Sequence, residues 1–180
     1  MKRKNILLII SGIILLGLII YLVTRPEKQF KVVKFTPTSY VINRTGISYL
    51  DTIVHIGLKE LDIRGISVII REMDSPKEID GGYDTQGYIV ARIGGGNDYL
   101  IYVKKGMDRY KAIDVLSHEL FHLKQYNDGD LILLGNGHVS WMGTNYKDIT
   151  TIPYMEREWE KEAFSESPEL KSNLLNILYE

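Results

Sequence analysis

The 180-residue chain contains no cysteine. This absence excludes disulfide bonds, iron–sulfur clusters, thiolate metal sites and a cysteine nucleophile. Any bound metal ion would have to be held by histidine, aspartate or glutamate. The composition, 44% hydrophobic and 25% charged, is typical of a folded protein. The length is sufficient for one domain with a hydrophobic core.

Outside the N-terminal part of the chain, basic residues are outnumbered by acidic ones. Residues 1–34 carry seven basic residues and one acidic residue, a balance of +6. Residues 35–180 carry 15 basic and 22 acidic residues, a balance of −7. Phosphate contacts need clustered lysine and arginine, so we expect no nucleic-acid partner for the acidic body. The basic end is where we expect contact with a membrane.

A run of 18 residues without a charge covers residues 6–23. As a helix it would be about 27 Å long, close to the thickness of a bilayer core. A cleaved signal peptide is the alternative, but the run is long for one and no small-residue cleavage site follows it. We therefore predict a single-pass membrane anchor over residues 1–23 and a basic linker over 24–39. The short basic N-terminus is typical of a signal anchor, which would place the domain over 40–180 outside the cytoplasm. Basic residues at both ends of the run leave this orientation weakly determined.

The body of the chain mixes helical and strand patterns. In order, these predict a helix at 45–65, a strand at 66–73, a hairpin at 88–105, a helix from Asp108 to Asn127–Gly129, a loop, a helix at 154–167 and a short helix at 168–180. This order predicts an α+β domain with a small antiparallel or mixed sheet.

The stretch SHELFHLKQY, residues 117–126, carries two histidines four positions apart on a predicted helix. Residues i and i+4 share one helix face, so His118 and His122 can direct imidazole nitrogens at one zinc ion. Glu119 could then take a proton from the zinc-activated water that attacks a carbonyl. The same short pattern also occurs on ordinary amphipathic helices. A third ligand is needed to choose between the two interpretations.

An extended form of this motif has a glycine seven residues after the first histidine and a ligand three residues later. In this chain Gln125 stands at the glycine position and Asp128 at the ligand position. Without the glycine the helix should continue, and Asp128 should then point away from the histidines. The sequence therefore favours a third ligand from a later segment.

The later segment WEKEAFSES, residues 159–167, resembles the Asn-Glu-x-x-Ser-Asp ligand helix of thermolysin-like metallopeptidases. It is also similar to the Glu-x-Glu-Ala segment of small gluzincins. Lys161 replaces the asparagine and Glu166 replaces the aspartate of the longer motif. The resemblance, which covers only the two helices, implies a minimal zincin-type zinc metallopeptidase. In it Glu162 would be the third zinc ligand, and Glu166 would orient His118 from the second shell of the site.

Helical geometry provides a separate argument about the same segment. At about 100° per residue, Met155, Trp159 and Ala163 form a stripe that should face the core. Glu162 lies near enough to this stripe to face inward, and Glu156 is similarly placed as a reserve candidate. The glutamates expected on a solvated face are Glu158 and Glu160.

Other residues could contribute to such a site. His138 is a candidate ligand or transition-state donor, and Tyr146 and Tyr154 could donate to an oxyanion, although each could also be a packing residue. In zincins, an edge strand before the metal helix typically binds extended peptide. A strand of the 88–105 hairpin could act in this way.

These observations predict a membrane-anchored zinc metallopeptidase that acts on a peptide or protein substrate. The predicted cofactor is Zn²⁺, and Glu119 is the predicted general base. The alternative is a non-catalytic, membrane-tethered binding or assembly module that holds a structural metal or none.

Overall fold

A computed structural model of the chain describes residues 39–74, 78–79 and 83–179. The predicted anchor over 6–23 and the linker up to residue 38 lie outside the described residues. Within the described ranges, no helix is both long and apolar enough to cross a membrane. The anchor therefore stays a prediction.

The described chain forms three α-helices, two short 3-10 helices and nine strands. In chain order they are β1 (Tyr40–Asn43), α1 (Ser48–Glu60), β2 (Ser67–Met73), β3 (Glu78–Ile79), β4 (Tyr83–Asp84), β5 (Gly87–Ala91), β6 (Asp98–Lys104), α2 (Arg109–Asp128), β7 (Leu131–Gly135), β8 (His138–Trp141), β9 (Thr144–Tyr146), the 3-10 helices Ile149–Thr151 and Tyr154–Glu156, and α3 (Glu158–Tyr179). The predicted mixture of helices and small sheets is confirmed.

The main sheet has four strands in the order β1-β2-β6-β5. β1 and β6 run parallel to β2, and β5 runs antiparallel to β6, so the sheet is mixed. Alternate side chains point to one face and are fully buried there, including Val68, Ile70 and Ile101. Helix α2 packs against β5 and β6, which brings the histidine-bearing helix to one end of the sheet.

Helix α2 has the boundaries that the sequence predicted. The Asp108 side chain accepts a hydrogen bond from the backbone N–H of Lys111 at 2.9 Å, which caps the first turn. Gly129 ends the helix in a left-handed conformation (φ 81°), where a residue without Cβ is favoured. The backbone N–H of Asp130 then donates to the carbonyl of Gln125. The helix therefore continues through residue 125, as expected from the lack of glycine there.

A small three-stranded antiparallel sheet, β7-β8-β9, occupies part of the region predicted as a loop. Its inner side chains Leu131, Val139 and Trp141 form a buried cluster with Trp159, the second residue of α3. This cluster anchors the start of α3 close to the C-terminal half of α2.

Helix α3 is one continuous helix of 22 residues with Pro168 in its interior. The prediction of two separate helices, at 154–167 and 168–180, is wrong, because a single buried stripe continues past the proline. We call it the core stripe of α3: Trp159, Ala163, Ser167, Leu170, Leu174 and Leu178. The prediction that Met155 faces the core is wrong, because it lies before α3 in a 3-10 turn and is exposed.

Candidate metal centre

The two histidines of α2 converge on one point, as their spacing predicted. The Nε2 atoms of His118 and His122 are 3.1 Å apart, and the two rings meet nearly edge-on, at 86°. Both rings therefore present the same nitrogen, Nε2, to a shared position. His122 is buried and His118 is half-buried.

The third group at this position is the carboxylate of Glu160. Its Oε2 atom lies 3.1 Å from His122 Nε2 and 3.4 Å from His118 Nε2. Zinc ligands at 2.0–2.1 Å in a tetrahedron are separated from one another by about 3.3 Å. The three observed separations match this spacing, so the two imidazoles and the carboxylate fit a zinc ion. The three side chains form a group that could hold a metal ion.

The structure brings Glu160, and not Glu162, to the histidines. Successive residues of a helix are rotated by about 100° around its axis. Measured in this way from the centre of the core stripe of α3, Glu160 lies about 50° away and Glu162 about 110° away. The sequence-based stripe was displaced because it included Met155 and omitted the leucines after Pro168. The prediction that Glu160 lies on a solvated face is wrong, since only 6% of its surface is exposed.

The other predicted glutamates occupy different positions. The Glu162 carboxylate accepts a hydrogen bond from the Gln125 amide at 2.8 Å, one shell away from the histidines. Glu156 is exposed in the 3-10 turn before α3. Glu166 is exposed and accepts a hydrogen bond from Ser165, so it does not take the predicted role of orienting His118. The buried Nδ1 atom of His118 has no hydrogen-bond partner among the described residues.

Charge is strongly coupled between His122 and Glu160. Burial lowers the pKa of His122, but the hydrogen bond and negative charge of Glu160 outweigh it and raise that pKa to about 9. Burial likewise raises the pKa of Glu160, but hydrogen bonds from His118 and His122 outweigh it and lower that pKa to about 2. Without a metal ion, the two groups therefore form a buried ion pair near neutral pH.

Glu119 is also buried beside the metal-binding group. Burial raises the pKa of its carboxyl group, although the charges of His122 and His118 act in the opposite direction. The carboxylate accepts a hydrogen bond from the backbone of Ile89 on β5. A carboxylate with a raised pKa, next to the ligands, is suited to accept and return a proton.

Strand β5 forms an edge of the main sheet among the described strands. Just before β5, the carbonyl of Gln86 accepts a hydrogen bond from the backbone N–H of Lys104 on β6. Every second residue after Gln86 is therefore hydrogen-bonded to β6, and the residues between them are not. In an antiparallel pair, Gly87 and Ile89 then direct their backbone groups away from β6. These groups face the side of the sheet where Glu119 lies.

Two adjoining clefts open at this edge, and both are lined by Gly87, Glu119 and Tyr154. The larger, of about 370 Å³, also includes His118 and the exposed ring of Phe164. The smaller, of about 180 Å³, has apolar walls contributed by β7, β8 and the first 3-10 helix: Leu131, Leu133, Val139 and Ile149. An extended chain along β5 would pass both clefts.

Of the three further candidates, the structure brings Tyr154 to the site. Its hydroxyl donates to the Glu160 carboxylate, and burial followed by the nearby charge of Glu160 raises its pKa. Arg157 holds the preceding segment in place by donating to the carbonyls of Ile149 and Ile152, each at 3.1 Å. The remaining candidates are placed elsewhere: Tyr146 packs edge-on against Trp159, and His138 is exposed on β8.

Two residues of the site were missed by sequence reasoning, Glu160 and Gln125. The apolar spacing of residues 159–178, taken as one helix, would have included Glu160 in the buried stripe. Gln125 was considered only as a replacement for glycine, and no local pattern marks its contacts.

Comparisons of the chain with protein-family models, with curated proteins and with solved structures find no match.

Proposed function

We propose that this protein is a zinc-dependent metallopeptidase tethered to a membrane by residues 6–23. One observation carries the proposal: His118, His122 and Glu160 place three ligand atoms at the mutual spacing of zinc ligands, with buried Glu119 beside them. Two histidines and one glutamate are a donor set of catalytic zinc sites, which keep one coordination position open. A purely structural site needs no neighbouring base.

A zinc ion at this site would supply Lewis acidity, which polarises a carbonyl oxygen and acidifies water. Glu119 takes the proton of the attacking water on its carboxylate and then transfers it to the leaving amine. Its burial keeps the carboxyl pKa raised, which makes the carboxylate a stronger base towards the attacking water. Tyr154, at the junction of the two clefts, is the side chain that we assign as hydrogen-bond donor to the developing oxyanion; in this role its single hydroxyl hydrogen would leave the Glu160 carboxylate.

The substrate that we propose is an extended peptide bound along β5. The outward backbone groups of Gly87 and the outward carbonyl of Ile89 would pair with it as an added strand, while the Ile89 N–H donates to Glu119. The two clefts beside the strand would receive its side chains, and the apolar wall of the smaller cleft, formed by Leu131, Leu133, Val139 and Ile149, is suited to an aliphatic one. Binding through backbone groups fits a peptide better than a small polar metabolite.

The decisive experiment combines metal analysis with replacement of the base. The purified full-length chain should contain about one zinc ion and hydrolyse members of a peptide mixture, with cleavage followed by mass spectrometry. Glu119→Gln should keep the zinc and lose activity by about 100- to 10,000-fold. Glu166→Gln removes an exposed carboxylate from α3 and serves as the control, with both properties unchanged.

Two results would contradict the proposal. Full activity of Glu119→Gln would exclude the assigned base. A chain that is folded but binds no zinc and cleaves no peptide would instead support a membrane-tethered binding or assembly module.

The membrane tether is tested separately by fractionation of cells that express the chain. The full chain should sediment with membranes and resist extraction at high salt, whereas a chain without residues 6–23 should remain in the supernatant. Protease added to intact cells would then digest a domain that lies outside the cytoplasm. Recovery of the full chain in the supernatant would exclude the anchor.

A further inference from the structure

Gln125 is the most deeply buried polar side chain in contact with a proposed ligand. Only 2% of its surface is exposed, and its amide makes three hydrogen bonds. The oxygen Oε1 lies 2.8 Å from His122 Nδ1. The nitrogen Nε2 donates to the backbone carbonyl of Trp159 at 2.9 Å and to the Glu162 carboxylate at 2.8 Å.

These contacts determine the orientation of the amide. Both neighbours of Nε2 are acceptors, a carbonyl and a carboxylate, so an amide turned by 180° would place its oxygen against two oxygens. The oxygen must therefore face His122. Because that oxygen can only accept, the Nδ1 atom of His122 must carry a hydrogen and donate it. The opposite nitrogen, Nε2, is left as the atom that faces Glu160 and His118.

From this geometry we infer that Gln125 and Glu162 act together as a positioning pair for His122. Gln125 holds the imidazole ring with Nε2 directed at the metal position, and Glu162 holds Gln125. Both residues act through His122 and touch neither metal nor substrate. The inference rests on the proposed function, since the metal position is the one assigned above.

The contrast with His118 supports this division of roles. His118 Nδ1 has no hydrogen-bond partner in the described part of the chain. Its ring packs against the exposed ring of Phe164, with 4.5 Å between the ring centroids. One ligand is therefore held by a buried hydrogen-bond chain and the other by side-chain packing at the cleft. Removal of a residue that hydrogen-bonds to a metal-ligating histidine typically lowers metal affinity by about 10- to 100-fold.

The test exchanges the amide of Gln125 and the carboxylate of Glu162 in the full-length chain. Gln125→Glu should weaken zinc binding, because the new carboxylate would face the Glu162 carboxylate and the Trp159 carbonyl. Adding Glu162→Gln removes the repulsion between the two carboxylates, so part of the lost affinity should return, while the Trp159 carbonyl still faces the new carboxylate. Gln125→Leu keeps the size of the side chain and should weaken zinc binding by about 10- to 100-fold. Glu166→Gln is the matched control on α3 and should change nothing.

Zinc dissociation constants would be measured by competition with a chelator, and cobalt absorption spectra would report the geometry of the ligands. A second measurement needs no metal: the Nδ1 proton of His122 should exchange slowly in the NMR spectrum of the metal-free chain and become fast in Gln125→Leu. If the variant folds poorly, the exchange rate in the unmodified chain remains informative, because fast exchange there would contradict the buried hydrogen bond to Gln125.

The outcomes separate the two proposals. Unchanged zinc affinity in both Gln125 variants would overturn the positioning role, and a failure of Glu162→Gln to restore affinity would overturn the pairing. If the unmodified chain bound no zinc, the proposed function would fall. The slow Nδ1 proton would then still show whether Gln125 orients His122.

Discussion

At the scale of the residue, the candidate metal-binding group contains one carboxylate from the acidic run at the start of α3. Glu158, Glu160 and Glu162 lie within five residues of one another, yet only Glu160 is within 3.4 Å of both histidines. Glu158 is exposed and pairs with Lys161. Single substitutions can therefore distinguish a ligand from its neighbours.

We predict that Glu160→Gln lowers zinc affinity by at least about 100-fold, because it removes a charged ligand and leaves two histidines. Glu162→Gln should lower it by less than about 10-fold, since an amide oxygen can still accept from Gln125. Chelator competition on the two purified variants measures both values. A larger loss of zinc affinity in Glu162→Gln than in Glu160→Gln would instead identify Glu162 as the ligand.

The coupled pKa values predict proton release when the metal binds. At pH 7, His122 of the metal-free chain is protonated because its pKa is about 9, and a metal ligand must be deprotonated. Binding at pH 7 should therefore release about one proton from this residue, and binding at pH 10 should release almost none from it. Calorimetry in two buffers of different ionisation enthalpy measures the number. Release of no proton at pH 7 would contradict the raised pKa.

The same shifts give a sign for the stability of the metal-free fold. The pKa of His122 is raised from 6.5 to about 9 in the folded chain. Its contribution to the free energy of unfolding is therefore complete below pH 6.5 and is lost as the pH rises towards 9. The pKa of Glu160 is lowered from 4.5 to about 2 in the folded chain. Its contribution to the free energy of unfolding is therefore complete above pH 4.5 and is lost as the pH falls towards 2. The ion pair therefore stabilises the metal-free chain most between these limits.

At the scale of the element, the contact between β5 and α2 decides where Glu119 lies. A Cβ atom at Gly87 would lie 2.4 Å from Val115 Cγ1, 3.1 Å from the Tyr102 carbonyl and 3.5 Å from Glu119 Cγ. Gly87 thus allows the edge strand to approach the metal-binding helix closely. Valine is stiff about χ1, so Val115 cannot easily turn away.

We predict that Gly87→Ala moves β5 away from α2, destabilises the fold by about 1–3 kcal/mol and reduces peptidase activity more than zinc content. Adding Val115→Ala removes the atom that is too close and should recover part of the stability. Thermal unfolding, zinc analysis and peptide cleavage would be compared for the three chains. Equal activity of Gly87→Ala and the unmodified chain would show that the close approach is unimportant.

At the scale of the whole molecule, the site joins parts of the chain that are distant in sequence. β5 contributes the edge, α2 the histidines and Glu119, and α3 the third carboxylate. The Lys171–Asp114 ion pair, at 2.7 Å, makes a second polar link between α3 and α2. A metal ion would therefore connect the two longest helices in the described chain.

We predict that zinc stabilises the folded protein, because the unfolded chain does not hold the three ligands together. A free zinc concentration of about 100 times the dissociation constant would add about 2.7 kcal/mol. For a protein of this size, the melting temperature should then rise by about 5–10 °C. Thermal unfolding with zinc or with a chelator measures the shift, and Glu119→Gln should show the same one. An unchanged melting temperature would argue against a preformed site.

Several features of the protein follow from local sequence. The HExxH spacing places two histidines on one face because that geometry belongs to any helix, and the cap residues Asp108 and Gly129 mark the ends of α2. The hairpin, the strand before it and the mixed α+β class were also predicted from patterns within a few residues. In each case the cause lies in the segment itself.

The carboxylate that joins the two histidines depended on information from the whole fold. Whether the chain remains helical through Pro168 is decided by the packing of Leu170, Leu174 and Leu178, which local propensity does not show. That packing rotates α3 so that Glu160 faces α2 and Glu162 meets Gln125. The sequence by itself therefore determined the histidine pair and the carboxylate of Glu119 adjacent to it. Only the tertiary structure decided which carboxylate completes the group, because the rotation of a helix is set by the core it packs against.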